Sequence, residues 1–390
     1  MIDLKLAIRN LIGAGLRTWL NVIVLSFAFL AIITTQGLLQ GMNEQAAHSM
    51  IEAEVAGGQY WHPNYDPYDP LSLSEAHGNL PAELNALISE GRATPVLIIQ
   101  GSVYPKGRMR SVLLKGIDPN QNLIAIPTHF LSGATPVTPA IIGNRMAQNT
   151  GLKAGDLVTI QWRDRYGTFD AQDIEIIQIM QTSVPTIDNG QIWLPLERLQ
   201  TFAEMSGEAT IVILARDQTL PVFTSEWSYQ SEAVLLKDLN DMVASKALGS
   251  TIFYLLLMFL AMLAIFDTQV LAVFRRRKEI GTLMALGMTR WRVISIFTLE
   301  GSIHGVLAIL AGAVYGFPLL WYFTKVGWTL PSNTDSYGFA IGETLFPVFP
   351  IGLVAGTSIL VMVVTTIISF LPLQRILKLK PTAALRGRVQ

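Results

Sequence analysis

Four long apolar runs divide the chain, at about 19–41, 249–274, 294–324 and 347–371. Roughly 20 helical residues cross the hydrocarbon core of a bilayer at about 1.5 Å per residue, so each run predicts a spanning helix. The first run is too long for the apolar core of a secretory leader and lacks a convincing small-x-small site after it, so an uncleaved anchor is expected. The stretch between the first and second runs has another texture. Pro, Gly, Asp and Asn punctuate short β-branched runs at Val96–Gln100, Ser111–Lys115, Leu157–Gln161, Ile174–Ile179, Ile192–Leu194 and Thr210–Leu214. Helical spacing lies between them at Ala82–Ser89, Arg145–Thr150, Leu196–Met205 and Leu235–Ala244. This alternation predicts an α+β domain large enough to bury its own core, in one lobe or two. Ahead of the first run, Leu4, Ile8, Leu11 and Ile12 recur at helical spacing among Lys5, Arg9 and Arg17, the pattern of an amphipathic helix lying at an interface.

Composition agrees with a membrane protein: 51% hydrophobic, 15% charged, mean hydropathy +0.41. With no cysteine, disulfides, thiolate metal sites and cysteine nucleophiles are excluded. Charge then orients the spans. The N-terminal flank, the 275–292 loop and the C-terminal tail hold 14 of the 28 Lys and Arg, and only Asp3 and Glu279 among the acids, whereas 43–247 holds 13 cations against 23 acids. Positive residues accumulate on the cytoplasmic side, which predicts both termini and the 275–292 loop inside and the large domain outside.

The expected organisation is therefore a membrane protein with four transmembrane α-helices and a large α+β extracytoplasmic domain between the first and second spans. In chain order it reads as an amphipathic helix at 1–18, spans at 19–42, 248–274, 294–324 and 347–371, the extracytoplasmic domain at 43–247, a cytoplasmic segment at 275–293, an extracytoplasmic loop at 325–346 and a cytoplasmic tail at 372–390.

Catalytic patterns do not surface. No G-x-x-x-x-G-K-[ST] phosphate loop and no G-x-S-x-G is present, and His48, His62, His77, His129 and His304 lack metal-ligand spacing. Nothing in the balance of charge suggests nucleic acid. Ionisable groups within spans are costly and so draw attention. Asp267 is expected to reach towards cations near the cytoplasmic interface. Glu300 and His304, four residues apart, are the one candidate relay pair, with Glu300 expected to stay hydrated. Gly301, Gly305, Ala308, Gly312 and Gly316 form a small-residue stripe that predicts close helix packing.

The conspicuous polar stretch is Phe274–Gly301. It opens with Arg275, Arg276, Arg277 and Lys278, continues as a short helix with an apolar stripe of Ile280, Leu283, Met284 and Leu286, and ends at Gly287. Its R-R-K-E-I-G-T-L-M-A-L-G-M-T-R (Arg276–Arg290) resembles the coupling segment of FtsX/MacB-type ABC permeases. L-A-I-R-N-L (Leu6–Leu11) and P-L-Q-R-I-L-K-L-K-P-T-A-A-L-R (Pro372–Arg386) are similar to that family's opening helix and closing motif. Met284 stands where the family usually has Arg, Asp267 where Asn is common and Leu373 where Ala is usual. Within the large domain, K-G-I-D-P (Lys115–Pro119), Ile141–Asp156 and Asp188–Gln200 look like the corresponding elements of lipoprotein-releasing (Lol-type) permeases.

The resemblance implies a subunit that is not itself an enzyme. It would bind no cofactor, pair with a second permease copy or a paralogue, and receive force from two separate ATPase subunits that hold ATP and Mg. The ATPase-coupling residues would be Arg276, Lys278, Glu279, Ile280, Gly281, Leu283, Leu286 and Gly287. Phe27 and Phe29 of the first span, with Met258, Phe259 and Met262 of the second, would line a substrate cavity. The expected function is ATP-driven extraction of lipoprotein or another lipid-bearing substrate from the outer leaflet of a bacterial inner membrane, with a periplasmic chaperone or adaptor and membrane lipids as further partners. Efflux of the MacB kind and signalling to a cell-wall hydrolase of the FtsX kind are the alternatives.

Overall fold

The computed structural model describes residues 16–133, 136–182, 184–216, 226–329 and 344–374. The expected amphipathic helix up to residue 15, most of the 325–346 loop (330–343) and the tail motif from residue 375 onwards lie outside the described residues. The α-helices longer than four residues are α1 (Leu16–Met50), α2 (Ala82–Ser89), α3 (Asn144–Thr150), α4 (Leu196–Ala203), α5 (Lys237–Arg275), α6 (Arg277–Ala285), α7 (Arg290–Val326) and α8 (Ile351–Leu373). The chain divides into two compact units, one containing residues 1–42, 243–329 and 345–390, the other 43–242 and 330–344.

In the first unit, α1, α5, α7 and α8 are long and apolar enough to cross a membrane. Helix α1 runs past the expected end at residue 42 because Asn43–Met50 contains no Gly or Pro to stop it, and α5 starts ahead of 248 for the same reason. Helix α8 begins at Ile351 rather than 347. Pro347 and Pro350 hold the preceding residues extended, and Pro350 itself caps the helix at φ −64° and ψ 147°.

Helix α7 is the one against which the others pack. Its small residues leave backbone bare, and different neighbours fill different parts of it. A side chain at Gly301 would collide with Ser369 of α8, and a Cβ at Gly305 would lie 2.6 Å from Thr365 Oγ1. Higher on the same face, a Cβ at Gly312 would lie 3.0 Å from Phe29 of α1, and one at Gly316 would lie 2.6 Å from Leu30. The stripe is thus a packing face for two helices. A shared core joins Leu25, Ala28, Phe29 and Ile33 of α1 to Met258, Ala261 and Ile265 of α5, Ala308 of α7 and Val361 of α8. Polar side chains along the seam turn back on the backbone: Ser369 donates to Thr365 O at 2.7 Å and Thr365 to Met362 O at 3.0 Å.

The second unit is built on a nine-stranded sheet. Its strands are β1 (Gln59–Trp61), β3 (Ala93–Val103), β4 (Arg110–Ile117), β5 (Thr138–Gly143), β6 (Leu157–Arg163), β7 (Phe169–Met180), β8 (Gln191–Pro195), β10 (Ile211–Leu214) and β11 (Ser228–Gln230), with the two-residue β2 (Gly78–Asn79) and β9 (Glu208–Ala209) paired separately. The order is β11-β1-β10-β3-β4-β8-β5-β7-β6, and β3 bends back onto β6 through Gly101–Val103. Six strands from β3 to β6 therefore close on themselves. Alternation along each strand sorts the side chains: Leu97, Ile99, Ala140, Ile142, Ile192 and Leu194 fill the closed interior, while Val96, Ile98, Ile141 and Trp193 face a second core. One sheet runs through the unit.

The bare face of α7 carries a test. Gly301→Leu should destabilise the helix packing by about 1–3 kcal/mol, because the seam would have to open around an added side chain. Thermal unfolding of the detergent-solubilised chain checks this, with Gly352→Leu, where nothing lies within 4 Å, expected to be neutral.

Candidate functional site

The basic segment is seated against the spanning helices. Helix α5 ends at Arg275, Arg276 adopts φ −96° and ψ 17°, and α6 starts at Arg277. The short helix stops in a Schellman turn: Gly287 N–H donates to Met284 O and Met288 N–H to Leu283 O, each at 3.1 Å, with Gly287 at φ +95°. Thr289 then leads directly into α7.

Two kinds of contact hold α6 to α7. The first is apolar. Ile280 is fully buried with Val293, Ile294 and Phe297 of α7 and Leu373 of α8, and Leu283, Met284, Met288 and Phe370 pack around them. The second is an ion pair. Arg276 Nη1 donates to Glu300 Oε2 at 3.1 Å and to Oε1 at 3.4 Å, its Nε lies 3.8 Å from Glu279 Oε2, and the guanidinium stands 5.9 Å from the centre of the Phe297 ring.

These positions revise the expectations. Arg276 and Ile280 were expected on the surface offered to an ATPase, yet both face inward, and Gly281 is buried with them. Leu286 was placed on the apolar stripe but is 80% exposed, because six residues of helix rotate it about 120° away from Ile280. Lys278, Glu279, Thr282, Ala285, Leu286 and Gly287 form the exposed side. Glu300 is 7% exposed and paired rather than hydrated, and His304 Nδ1 lies 3.0 Å from the Glu300 backbone oxygen, not against its carboxylate. Asp267 is exposed and makes no ion pair with a described residue.

Residues 251–381, which contain this whole arrangement, match the family model of the FtsX-like permease C-terminal domain. This part of the chain is similar to that permease domain. The lipoprotein-releasing system transmembrane protein LolC of Xylella fastidiosa (strain 9a5c) is 20% identical over 343 residues, covering 78% of this chain and 77% of that protein. LolC of Neisseria meningitidis serogroup B (strain MC58) is 22% identical over 257 residues, covering 60% and 62%. The crystal structure of the extracellular domain of the noncanonic ABC-type transporter YknZ from Gram-positive bacteria aligns with 42% of this chain and 83% of its own at 15% identity and a TM-score of 0.26. The candidate spans and this match agree in making residues 251–381 similar to a membrane-spanning permease of the FtsX type.

The five residues expected to line a substrate cavity do not share one surface. Phe29 and Met258 are buried at 4% and 5% in the core between α1, α5, α7 and α8, and Met262 packs against it. Their role here is to seal helices within one chain. Phe27 and Phe259, 66% and 54% exposed, point elsewhere.

In the α+β unit, two stretches that carried the family resemblance prove to be one structural joint. Ile141 of β5 pairs with Trp193 of β8, Arg145 at the start of α3 reaches Asp188 at 3.2 Å, and a side chain at Gly143 would strike the Asp188 backbone. Sequence reasoning missed a buried pair beside them: Lys115 of β4, 3% exposed, reaches Glu54 at 2.7 Å and stands 5.1 Å from the Trp193 ring. A lysine inside a short β-branched run was the signal, since such a residue demands a carboxylate. The histidines serve packing. His77 binds Glu208 at 2.5 Å, and Arg165 reaches the same carboxylate at 2.7 Å. His62 lies edge-on to Trp227 and accepts from Asn64 N, and burial, with His77 nearby, lowers its pKa below the usual imidazole value. Among the described residues no cluster of His, Asp or Glu is placed to hold a metal.

The inward and outward faces of α6 separate by mutation. Ile280→Ala should cost about 2–5 kcal/mol of stability through the cavity it opens, whereas Leu286→Ala should stay within about 0.5 kcal/mol. Gly287→Ala meets no neighbour within 4 Å and should cost about 1–2 kcal/mol through its left-handed backbone alone. Denaturant unfolding of the purified chain followed by tryptophan fluorescence measures all three.

Proposed function

We propose that the chain is the permease subunit of a mechanotransmitting ABC transporter that extracts lipoprotein, or another lipid-bearing substrate, from the outer leaflet of the inner membrane. The observation that carries this reading is the reach of the similarity: the alignment with the lipoprotein-releasing protein of Xylella fastidiosa covers 78% of the chain, well beyond the permease domain at 251–381. Charge supports the orientation, with both termini and α6 in the cytoplasm and the α+β unit outside, because the flanks of the spans are basic where the α+β region is acidic.

On this reading two ATPase subunits, which carry ATP and Mg, dock beneath a pair of permeases. The docking surface on each is the exposed side of α6: Lys278, Glu279, Thr282 and Leu286. Leu286 is an apolar side chain held out by a rigid Schellman turn, which suits a pocket on a soluble partner. Closure of the ATPases on ATP pushes α6, the spans carry the movement, and the extracytoplasmic domains act on the substrate. Phe27 and Phe259 are the members of the expected cavity that remain free to meet acyl chains or a second permease.

The test uses the permease reconstituted in proteoliposomes with the ATPase subunits that co-purify with it and a lipoprotein labelled on its acyl chains. ATP-dependent release to a soluble acceptor is expected, and its absence overturns the lipoprotein assignment. Export of a soluble peptide, or activation of a cell-wall hydrolase, would instead establish one of the two alternatives. Leu286→Asp with Lys278→Glu should reduce capture of the ATPase subunits by about tenfold or more, read by co-purification against the unaltered chain.

A further inference from the structure

Glu300 has no part in ATPase docking as described, and its position calls for one. It lies about three turns into α7, is 7% exposed, and has Arg276 as a charged partner. Such a carboxylate is costly to keep in a spanning helix, and the guanidinium of Arg276 offsets part of that cost.

The geometry shows what the pair adds. Helix α6 is joined to α7 covalently at its C-terminal end through the turn at Gly287–Thr289. Between the ends, its grip is apolar: Ile280, Leu283 and Met284 against Val293, Ile294 and Phe297. Apolar contact resists separation but is non-directional, so by itself it leaves the α5–α6 junction free to swing relative to α7 about the turn at Gly287–Thr289. The contact with direction is at the opposite end, where Arg276 reaches across to Glu300 and lies over Phe297. A helix fixed at both ends moves as one body with its support.

Arg276 is also the residue that joins α5 to α6, so the same fixing ties the α5 terminus to α7. We infer that the Arg276–Glu300 pair is a clamp that makes α5, α6 and α7 respond together to a push on α6, and that Glu300 is a positioning residue for coupling. The inference rests on the mechanotransmission reading above, to which it adds the path by which force leaves the coupling helix. One consequence is that a residue of the conspicuous basic run is withdrawn from ATPase contact in order to brace the helix that makes it.

The experiment uses the full chain with its co-purifying ATPase subunits in lipid nanodiscs. The chain has no cysteine, so spin labels at Arg275→Cys, exposed beside the clamp and outside the proposed docking surface, and at Val314→Cys, 78% exposed, report the distance between the start of α6 and α7 directly. In the otherwise unaltered chain the distribution should be narrow with and without ATP and vanadate. With Glu300→Gln, which keeps the shape and removes the charge, ATPase capture should persist while the distribution broadens and ATP-driven release of labelled lipoprotein falls about tenfold or more. Exchanging the pair, Arg276→Glu with Glu300→Arg, should restore both readouts. A narrow distribution and release within about twofold of the unaltered chain in Glu300→Gln overturns the clamp. So does an exchanged pair that folds and captures ATPase but stays uncoupled. Should Glu300→Gln fail to accumulate, the exchanged pair decides by the same two readouts. Failure of the unaltered chain to capture any ATPase subunit would count against the proposed function instead, and the α6–α7 distance would still test the clamp.

Discussion

The membrane unit depends on one constraint, the absence of side chains along a face of α7. Helices in a bilayer gain little by hiding apolar surface from lipid, so their association relies on close contact and on polar groups that find partners. At Gly301 and Gly305 that closeness admits the Ser369 and Thr365 hydroxyls of α8, and at Gly312 and Gly316 it admits Phe29 and Leu30 of α1. The Thr365 and Ser369 hydroxyls donate to carbonyls of their own helix, while Ser302 and Thr366 meet across the seam at 2.9 Å. The exposed large side chains of α7, such as Val314 and Phe317, lie off this face. One helix thus serves as a common surface for two others without being polar.

A tightly packed spine makes a buried charge tolerable. Glu300 sits one residue before Gly301, on the same turn as the closest approach to α8, and its carboxylate projects to the side where α6 begins. Desolvating a carboxylate and a guanidinium costs several kcal/mol per ion, and both bonds from Arg276 to Glu300 come from the single nitrogen Nη1 rather than from a parallel fork. The geometry is therefore not the one that maximises binding of the pair. What the pair provides that Ile280 and Phe297 do not is direction. An apolar pair in its place would preserve cohesion between α6 and α7 and give up their angular relation.

How much of this was legible in the sequence depends on the kind of interaction. Spans are composition averaged over 20 residues, and hydropathy located all four; only their ends moved, where Asn43–Met50 lacked a breaker and Pro347 and Pro350 supplied one. Strands with clean β-branched runs were visible too. Thr138–Gly143 was not read as a strand because Pro139 and Gly143 interrupt its pattern, and it is held in place by partners more than thirty residues away, Ile174–Met180 and Ile192–Trp193. The site was the least legible part. Arg275, Arg276, Arg277 and Lys278 are equivalent as charges in a row, and only the seat provided by Phe297 and Glu300, over twenty residues later, distinguishes Arg276. Helical spacing tied Glu300 to His304, the local partner. The true partner was non-local.

The α+β unit repeats this lesson in a different solvent. Lys115 and Glu54 are 61 residues apart, and the lysine is buried against Trp193. Unlike Arg276, it lies on a strand of a closed sheet, where the backbone ladder to β3 and β8 already fixes its position. Its ion pair adds no rigidity to β4. What it holds is the segment carrying Glu54, a π-helical turn at Ile51–Val55 that closes at Ala56 with φ +50°. That turn is also tied by Ala125 N–H to Glu52 O at 2.7 Å and by the burial of Ala53 and Ala56. In both units, then, a cation–carboxylate pair adds a directional bond to a short helical piece that apolar contacts also hold. Directional bonds are placed where cohesion was already available and angle was not.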